Sequence, residues 1–398
     1  MLLVRGKEGR RVLWGPKARE SKGVDAKVRD FTSDDEQPIT MVHSVSLGGD
    51  PVVGGIESWI SDFLSFSSHR YRLLGTLFDR DTRIEAEFLT PEVEAFSIAR
   101  LPRQRTVIPH ALRLVAGIFR NRQLLTSNVV IHRPELAPFI RFIRPDARIT
   151  LVIHTDLKAQ VGSGSDSLWR FFGPLYFFFE SFFLRFADHI IAHTVKDGPR
   201  LRQKFPGVTV VSGWYNDEYF GVSVPAKERS GVIWVGRFER VKDPLLAVRS
   251  FATQTSRTRG HLTMVGSGSL RTEILSEVQK KDLGDVVFLR DPMSAPELSK
   301  VLNQHQTLLH TSHFEGSPRV ILEALACGLG VVTLPECDPD GWIPKTGAGV
   351  YATDRTPEAV GASLSIPPLR EPASVSELIQ SRSARQVIPQ IEKIITGN

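Results

Sequence analysis

From residue 39 onward, short apolar runs alternate with longer stretches whose apolar residues recur every three to four positions. The first pattern is that of buried strands and the second that of amphipathic helices. Runs at 39–44, 71–78, 129–134, 148–153, 187–194, 208–211, 231–235, 261–265, 286–289, 308–310 and 331–334 read as strands, with 39–44 expected at a sheet edge. Ile56, Ile60, Phe63 and Leu64 share one helical face, as do Leu245, Leu246, Val248 and Phe251, and 387–396 is helical again. Strands alternating with helices predict an α/β fold of two doubly wound, Rossmann-like domains. A chain of 398 residues is long enough to give each its own core. Periodicity is lost over 213–230, which is expected to be the interdomain linker. The predicted order is a flexible extension (1–38), an N-terminal domain (39–212), the linker, a C-terminal domain (231–375), and a helix (376–398) able to pack back on the first domain.

The densest chemistry lies in 311–334, TSHFEGSPRVILEALACGLGVVTL. Glu315 precedes a Gly316-Ser317-Pro318 turn, Glu323 sits inside the apolar helix that follows, and Gly328 ends it. Proline suits the first turn of a helix and glycine its C-terminal cap. Eight residues of helix would separate the carboxylates by roughly 12 Å, less with the first on the turn. That span suits gripping both ends of a sugar nucleotide. It is too wide for the pair of a retaining glycosidase, which needs about 5 Å.

Other candidates follow strands. Gly54-Gly55-Ile56-Glu57 is a glycine-rich strand-to-helix loop, read either as backbone able to approach an anion or as turn glycines. His154, ending the 148–153 strand before Thr155-Asp156, would face the crevice where doubly wound sheets bind ligands. Gly236-Arg237 and Lys242 share one loop after a strand, where two cations can converge on a diphosphate or serve in surface salt bridges. Gly266-Ser267-Gly268 repeats the strand-then-glycine pattern but lacks the third glycine of a dinucleotide fingerprint. Asp79-Arg80-Asp81 and Asp338-Pro339-Asp340 spell an Asp-x-Asp metal triplet outside a nucleotide-binding context, and both are assigned to solvent.

Charge sharpens the choice of partner. A net charge of +6 and a pI near 9.4 favour an anionic one. Arginines at 100, 103, 105, 113, 120 and 122 interleave with Leu112, Leu114, Val115, Ile118 and Phe119. This basic amphipathic stretch suits either a membrane surface or a solvated helix packed on the sheet. Residues 168–187, LWRFFGPLYFFFESFFLRFA, approach the length of a membrane span, but Arg170, Glu180, Arg185 and Gly173-Pro174 argue against one. A buried helix and one lying on a bilayer remain, and the excess of phenylalanine favours the bilayer. Cys327 and Cys337 have no metal-site spacing and read as reduced thiols of a cytoplasmic protein, with no signal peptide evident.

Taken together, residues of about 40–370 resemble the retaining glycosyltransferases of the GT-B fold, glycosyltransferase family 4 (glycosyl transferases group 1). The resemblance rests on Glu315-x7-Glu323 within FEGSPRVILEALACG and on Gly236-Arg237-x4-Lys242. Gly54-Gly55-Ile56-Glu57, His154-Thr155-Asp156 and Ala187-Asp188-x-Ile190-Ile191 support it. It implies two Rossmann-like domains facing a central cleft and sugar transfer from a UDP- or GDP-sugar, with no further cofactor and no metal. Arg237 and Lys242 would bind the diphosphate and stabilise the leaving group. Glu323 would hold the ribose hydroxyls. Glu315 would contact the transferred sugar, and backbone N–H groups at Arg319 and Val320 would meet phosphate. His154 would line the sugar site, Gly54 and Gly55 would close over the phosphates, and Gly236, Gly266 and Gly316 complete the donor-binding set. No protein nucleophile is implied. The acceptor would be carbohydrate or lipid-linked, and the site of action cytoplasmic, peripheral at the inner face of the membrane.

The chain departs from the family pattern in two places. The usual Asn-Gly-Val-Asp-x-x-Phe segment is Trp214-Tyr215-Asn216-Asp217-Glu218-Tyr219-Phe220 here, and Ser317-Pro318-Arg319 replaces the commoner Phe-Gly turn. A nucleotide-sugar epimerase of the same fold is the alternative reading. A basic nucleic-acid module ranks last, because no reading helix or aromatic single-strand motif stands out.

Overall fold

The computed structural model describes residues 2–5, 11–14, 37–47, 55–78, 93–101, 110–154, 173–193, 195–196, 198–254, 260–366 and 369–397. Within the N-terminal extension, Leu2–Arg5 and Arg11–Trp14 pair as antiparallel strands, and 15–36 lies outside the described residues.

The N-terminal domain runs β1 (Ile39–Ser46), α1 (Gly55–Phe66), β2 (Tyr71–Phe78), β3 (Val93–Leu101), α2 (His110–Arg120), β4 (Asn128–Ile131), α3 (Ala137–Ile143), β5 (Arg148–Ile153), α4 (Gly173–Leu184), β6 (His189–Ala192), α5 (Gly198–Lys204) and β7 (Val208–Val210). Its parallel sheet has the order β3-β2-β1-β4-β5-β6-β7. β1 therefore lies inside the sheet and not at the expected edge. Met41 and Val42 point to opposite faces and both are fully buried, as a strand covered on two sides requires. The basic stretch from Arg100 also begins differently. Arg100 and Leu101 end β3, and the helix spans only His110–Arg120.

The C-terminal domain repeats the plan with β8 (Val232–Val235), α6 (Pro244–Ala252), β9 (Leu262–Val265), α7 (Arg271–Lys280), β10 (Val287–Arg290), α8 (Ala295–Asn303), β11 (Thr307–Leu309), α9 (Arg319–Ala326), β12 (Gly330–Thr333), α10 (Trp342–Thr346), β13 (Gly349–Tyr351), α11 (Pro357–Leu364) and α12 (Pro372–Leu378). Its order is β10-β9-β8-β11-β12-β13, again parallel. Each sheet thus reverses direction between its first and fourth strands, and a crevice opens at such a switch point beyond the strands' C-terminal ends. In α9, Ile321, Leu322 and Leu325 enter the core, while Gly328, at φ +79°, takes the left-handed turn that ends the helix.

The chain passes between the domains twice, and both passages are narrow. Trp214 belongs to the N-terminal core and its neighbour Tyr215 to the C-terminal core. From Tyr215 the expected linker is already part of the second domain. Arg229, buried, donates to the Val224, Cys327 and Asn303 oxygens at 2.9, 2.6 and 3.0 Å. The return falls between Ile379 and Ala384, after which α13 (Ala384–Thr396) joins the N-terminal core through Val387, Ile388, Ile391 and Ile395. The two passages hold each other: Tyr215 N donates to Arg382 O at 3.1 Å, and Ala384 N to Tyr215 O at 2.8 Å.

Glu392 anchors α13. Its buried carboxylate accepts Ser68 N at 3.0 Å and Ser68 Oγ at 2.8 Å, takes a hydrogen bond from Ser67, and lies 3.1 Å from His69 Nδ1. Burial would raise its pKa, but these contacts outweigh it and hold the carboxyl below its ordinary value. Removing one partner of such a network strands the others. Glu392→Ala is expected to lower unfolding free energy by roughly 3 kcal/mol. Urea denaturation at pH 7 checks this, and a change within 0.5 kcal/mol, about that of a surface substitution, would contradict it.

Candidate active site

The N-terminal side of the site is a ladder of imidazoles. His43 lies near the end of β1, and His132, His154 and His193 directly follow β4, β5 and β6, so four adjacent strands each deliver one ring to the same edge. The rings of His132, His154 and His193 stack in sequence, with centroids 5.0 and 5.3 Å apart, and His43 meets His132 edge-on at 5.3 Å. Trp59 of α1 crosses all three stacked rings, and Trp214 closes the end against Trp59 and His193. Trp59 Nε1 donates to His193 Nε2 at 2.8 Å, so His193 carries its proton on Nδ1 and donates to Val211 O at 2.6 Å. His132 Nδ1 and His154 Nε2 are 2.7 Å apart. Burial pushes all four rings down, to about 4 for His43 and His193, and the neighbouring histidines lower His132 and His154 further. Four neutral rings leave this wall aromatic and uncharged.

The opposite wall belongs to the C-terminal domain. Gly236 and Arg237 follow β8, and Lys242 sits just before a turn in which Asp243 takes φ +47° and accepts Leu246 N to start α6. Glu315 lies in the loop between β11 and α9. Lys242 Nζ donates to its Oε1 at 2.5 Å, Ser312 Oγ donates to the same oxygen at 2.5 Å, and His310 Nε2 lies 3.1 Å from it. Burial works to raise the Glu315 carboxyl, but the Lys242 ammonium and His310 overcome it and hold it far below the carboxylate range. Thr311 joins the two loops. Its hydroxyl accepts Trp234 Nε1 at 2.9 Å and reaches Lys242 O and Asp243 O at 3.1 and 2.9 Å. Arg355 braces the same loop by donating to Thr311 O at 2.5 Å and Ser312 O at 3.0 Å.

Glu323, inside α9, lies 3.7 Å from Arg319 Nε one turn earlier, and Arg319 pairs directly with Asp62 of α1 in the other domain. Burial and the Asp62 charge raise the Glu323 carboxyl, which Arg319 offsets only in part. At Gly266, with φ +155°, an added Cβ would stand 1.9 Å from Gly236 O. Gly266 is therefore needed for the loops after β8 and β9 to pack backbone against backbone, whereas a Cβ at Gly236 would meet the Trp234 ring at 3.1 Å. The N–H groups of Arg319 and Val320 open α9, where helix N-termini leave donors without intrahelical acceptors.

Lys242, Glu315 and Gly316 are thus gathered with Arg319, Val320 and Glu323 on one wall, and His154 stands on the other. Arg237 is exposed and makes no ion pair among the described residues. Gly55 is the first residue of α1, whereas Gly54, Thr155, Asp156 and the Asp79-Arg80-Asp81 triplet lie outside the described residues. Asp338 and Asp340 are not solvent residues as expected. Both are buried, with Asp338 capping α10 through Trp342 N and Ile343 N at 2.9 and 2.8 Å, and Asp340 accepting Ser212 Oγ at 3.0 Å. Among the described residues no three His, Cys, Asp or Glu side chains form a group able to hold a metal ion. Sequence reasoning missed Asp62, Thr311, His310, His43, His132 and His193. The histidines had a signal, since each ends an apolar run as His154 does.

Residues 216–364 match the family model described as Glycosyl transferases group 1. The match covers most of the C-terminal domain, which is similar to that of group 1 glycosyltransferases. Among curated relatives, D-inositol 3-phosphate glycosyltransferases of Paenarthrobacter aurescens (strain TC1) and Arthrobacter sp. (strain FB24) are 28% and 31% identical over 160 and 106 residues, 37% and 25% of this chain. The chain spans 38% and 25% of their respective lengths. Over nearly its whole length it has the fold of a sucrose-phosphate synthase from Thermosynechococcus elongatus, with a TM-score of 0.72, 18% identity, and 91% of this chain and 99% of that one covered. Anabaena Alr3699/HepE, solved with UDP and glucose, gives a TM-score of 0.68 at 14% identity, covering 91% and 100%. This is the GT-B fold, two Rossmann-like domains with the group 1 glycosyltransferase domain second.

The histidine ladder sets a pH dependence. His43 and His193 titrate near 4 when folded and near 6.5 when unfolded. Between those values the unfolded chain binds more protons, so stability is complete above about pH 6.5 and falls as the medium is acidified toward 4. The expected slope is up to about 1.4 kcal/mol per pH unit for each such histidine. Urea denaturation at pH 7 and pH 5 measures it, and replacing His193 by Asn should flatten the profile. An equal slope with and without His193 would contradict the assignment.

Proposed function

We propose that this protein is a retaining, metal-independent glycosyltransferase that moves a sugar from a UDP- or GDP-sugar to a carbohydrate or lipid-linked acceptor. The observation that carries the reading is the Lys242–Glu315 pair, held at the switch point of the C-terminal sheet opposite His154 at the C-terminal edge of the N-terminal sheet. The relatives are named as sugar transferases, and HepE was solved with UDP and glucose at the corresponding fold. In this reading Lys242 and Arg237 meet the diphosphate, and their positive charge stabilises the leaving group as the glycosidic bond breaks. Glu323 accepts the ribose hydroxyls, and the N–H groups opening α9 face phosphate. Glu315, kept ionised by Lys242, accepts hydroxyls of the transferred sugar. His154, neutral, lines the sugar from the other domain. The incoming and leaving oxygens share one face of the sugar, so the anomeric configuration is kept, and no protein nucleophile is assigned.

Glu323→Ala and Lys242→Ala are each expected to lower donor turnover at least 10²-fold, the loss that follows removal of one preorganised charge or donor. Radiolabelled sugar transfer from UDP- and GDP-sugars measures it. Unchanged turnover in either variant would overturn the reading, and sugar release without any acceptor would favour the epimerase.

The same protein is proposed to act in the cytoplasm, at the inner face of the membrane. Helix α3 packs against both α2 and α4, and these three helices expose Leu112, Phe119, Phe139, Phe142, Phe178 and Phe182, with Phe142 80% and Phe178 66% accessible. Arg120, Arg122 and Arg185 are exposed beside them. Among the described residues no helix is long and apolar enough to cross a membrane. Each basic residue near an anionic surface contributes about 1 kcal/mol. Neutralising Arg120 and Arg122 with Phe142→Ser is expected to reduce binding to phosphatidylglycerol vesicles at least tenfold. Undiminished sedimentation with the vesicles would contradict the membrane placement.

A further inference from the structure

Arg319 is shared between two carboxylates of different domains, and the sharing is unequal. It hydrogen-bonds Asp62 directly, whereas its Nε stands 3.7 Å from Glu323, beyond hydrogen-bond length. Asp62 is itself fixed from a third direction, because Asn216 Nδ2 donates to its Oδ1 at 2.8 Å. Asn216 is buried in the passage between the domains, and its own amide oxygen accepts Glu218 N at 3.0 Å, so it cannot turn away. The Glu323 carboxylate takes no hydrogen bond of normal length from any described residue, although the side chain is only 13% exposed.

A buried carboxylate beside an arginine ordinarily closes into a bidentate pair, which occupies both oxygens. Here the second carboxylate, anchored by Asn216, draws the guanidinium toward the other domain. We propose that Asp62 is a positioning residue for the donor: by holding Arg319 off Glu323, it leaves the Glu323 oxygens open to the ribose hydroxyls. The inference rests on the donor role of Glu323 proposed above and adds to it a residue of the opposite domain. It also makes donor binding depend on the two domains being together, since Asp62 acts only across the interface.

The loss of Asp62 has a consequence that an ordinary structural contact would not have. In Asp62→Asn the guanidinium has one carboxylate left and collapses onto Glu323, where it competes with ribose. Removing the competitor as well should restore binding. The test is isothermal titration of UDP and GDP into wild type, Asp62→Asn, Arg319→Gln and the double variant, with turnover measured at saturating donor. Wild type is expected to bind one of the two nucleotides. Asp62→Asn should bind it at least tenfold more weakly, with turnover at saturation within about threefold. The double variant should bind more tightly than Asp62→Asn and as well as Arg319→Gln alone, because Asp62 matters to the donor only while Arg319 is present. If Asp62→Asn fails to fold, Asn216→Ala, which unfastens Asp62, takes its place, and an unchanged affinity in it overturns the proposal. A double variant no better than Asp62→Asn, or an unchanged Asp62→Asn, also overturns it while leaving the donor assignment standing. Failure of wild type to bind either nucleotide overturns the donor assignment and this proposal together.

Discussion

Two carboxylates taken out of water organise the centre of this molecule. Glu315 and Glu323 expose only 11% and 13% of their side chains, and a buried, uncompensated carboxylate costs several kcal/mol. Their compensation recruits groups from elsewhere in the chain: Lys242 from the loop after β8, His310 and Ser312 from the end of β11, and, for Glu323, Arg319, which is shared with Asp62 of the other domain. Burying the two acids therefore ties together the strand ends that surround the proposed donor site. The same burial keeps the pair from behaving alike. Glu315 is held ionised by a lysine at 2.5 Å, while Glu323 is raised above its ordinary value by burial and the Asp62 charge, which Arg319 offsets only in part.

The opposite wall answers burial in another way. Four histidines delivered by adjacent strands remain neutral, three of them stacked against two tryptophans and His43 edge-on to the stack, which makes an uncharged aromatic surface opposite a charged one. A nucleotide sugar asks for that asymmetry, with phosphates toward cations and a helix N-terminus, and a neutral sugar toward rings. The domains are joined by two chain passages hydrogen-bonded to one another through Tyr215, so the walls are hinged at one place, and the Asp62–Arg319 contact bridges them at another.

Much of this was legible in the residues because the informative features are local. The short apolar runs became strands, Glu315 and Glu323 flanked and entered a helix ending at Gly328, and Lys242 followed a strand in a loop. What escaped depends on strand order or distant partners. β1 was expected at an edge, and only the 3-2-1-4 order of each half places it inside the sheet. Asp338 looked like a solvent turn because nothing nearby in sequence shows that its carboxylate caps α10 and meets Tyr351 Oη at 2.8 Å. Asp62 sits in an amphipathic helix beside Phe63, and its partner Arg319 is 257 positions away. The histidine ladder is intermediate. Each ring ends an apolar run, but that they stack follows only from β1, β4, β5 and β6 being neighbours.

In the proposed function the two strand-end walls together hold a nucleoside-diphosphate sugar through Glu323. Thermal unfolding with saturating UDP or GDP tests it most directly. One of the two is expected to stabilise the wild-type protein by about 2.7 kcal/mol at 100 times its dissociation constant, and Glu323→Ala should lose that gain. Unfolding indifferent to both nucleotides, or equal stabilisation with and without Glu323, would contradict the account.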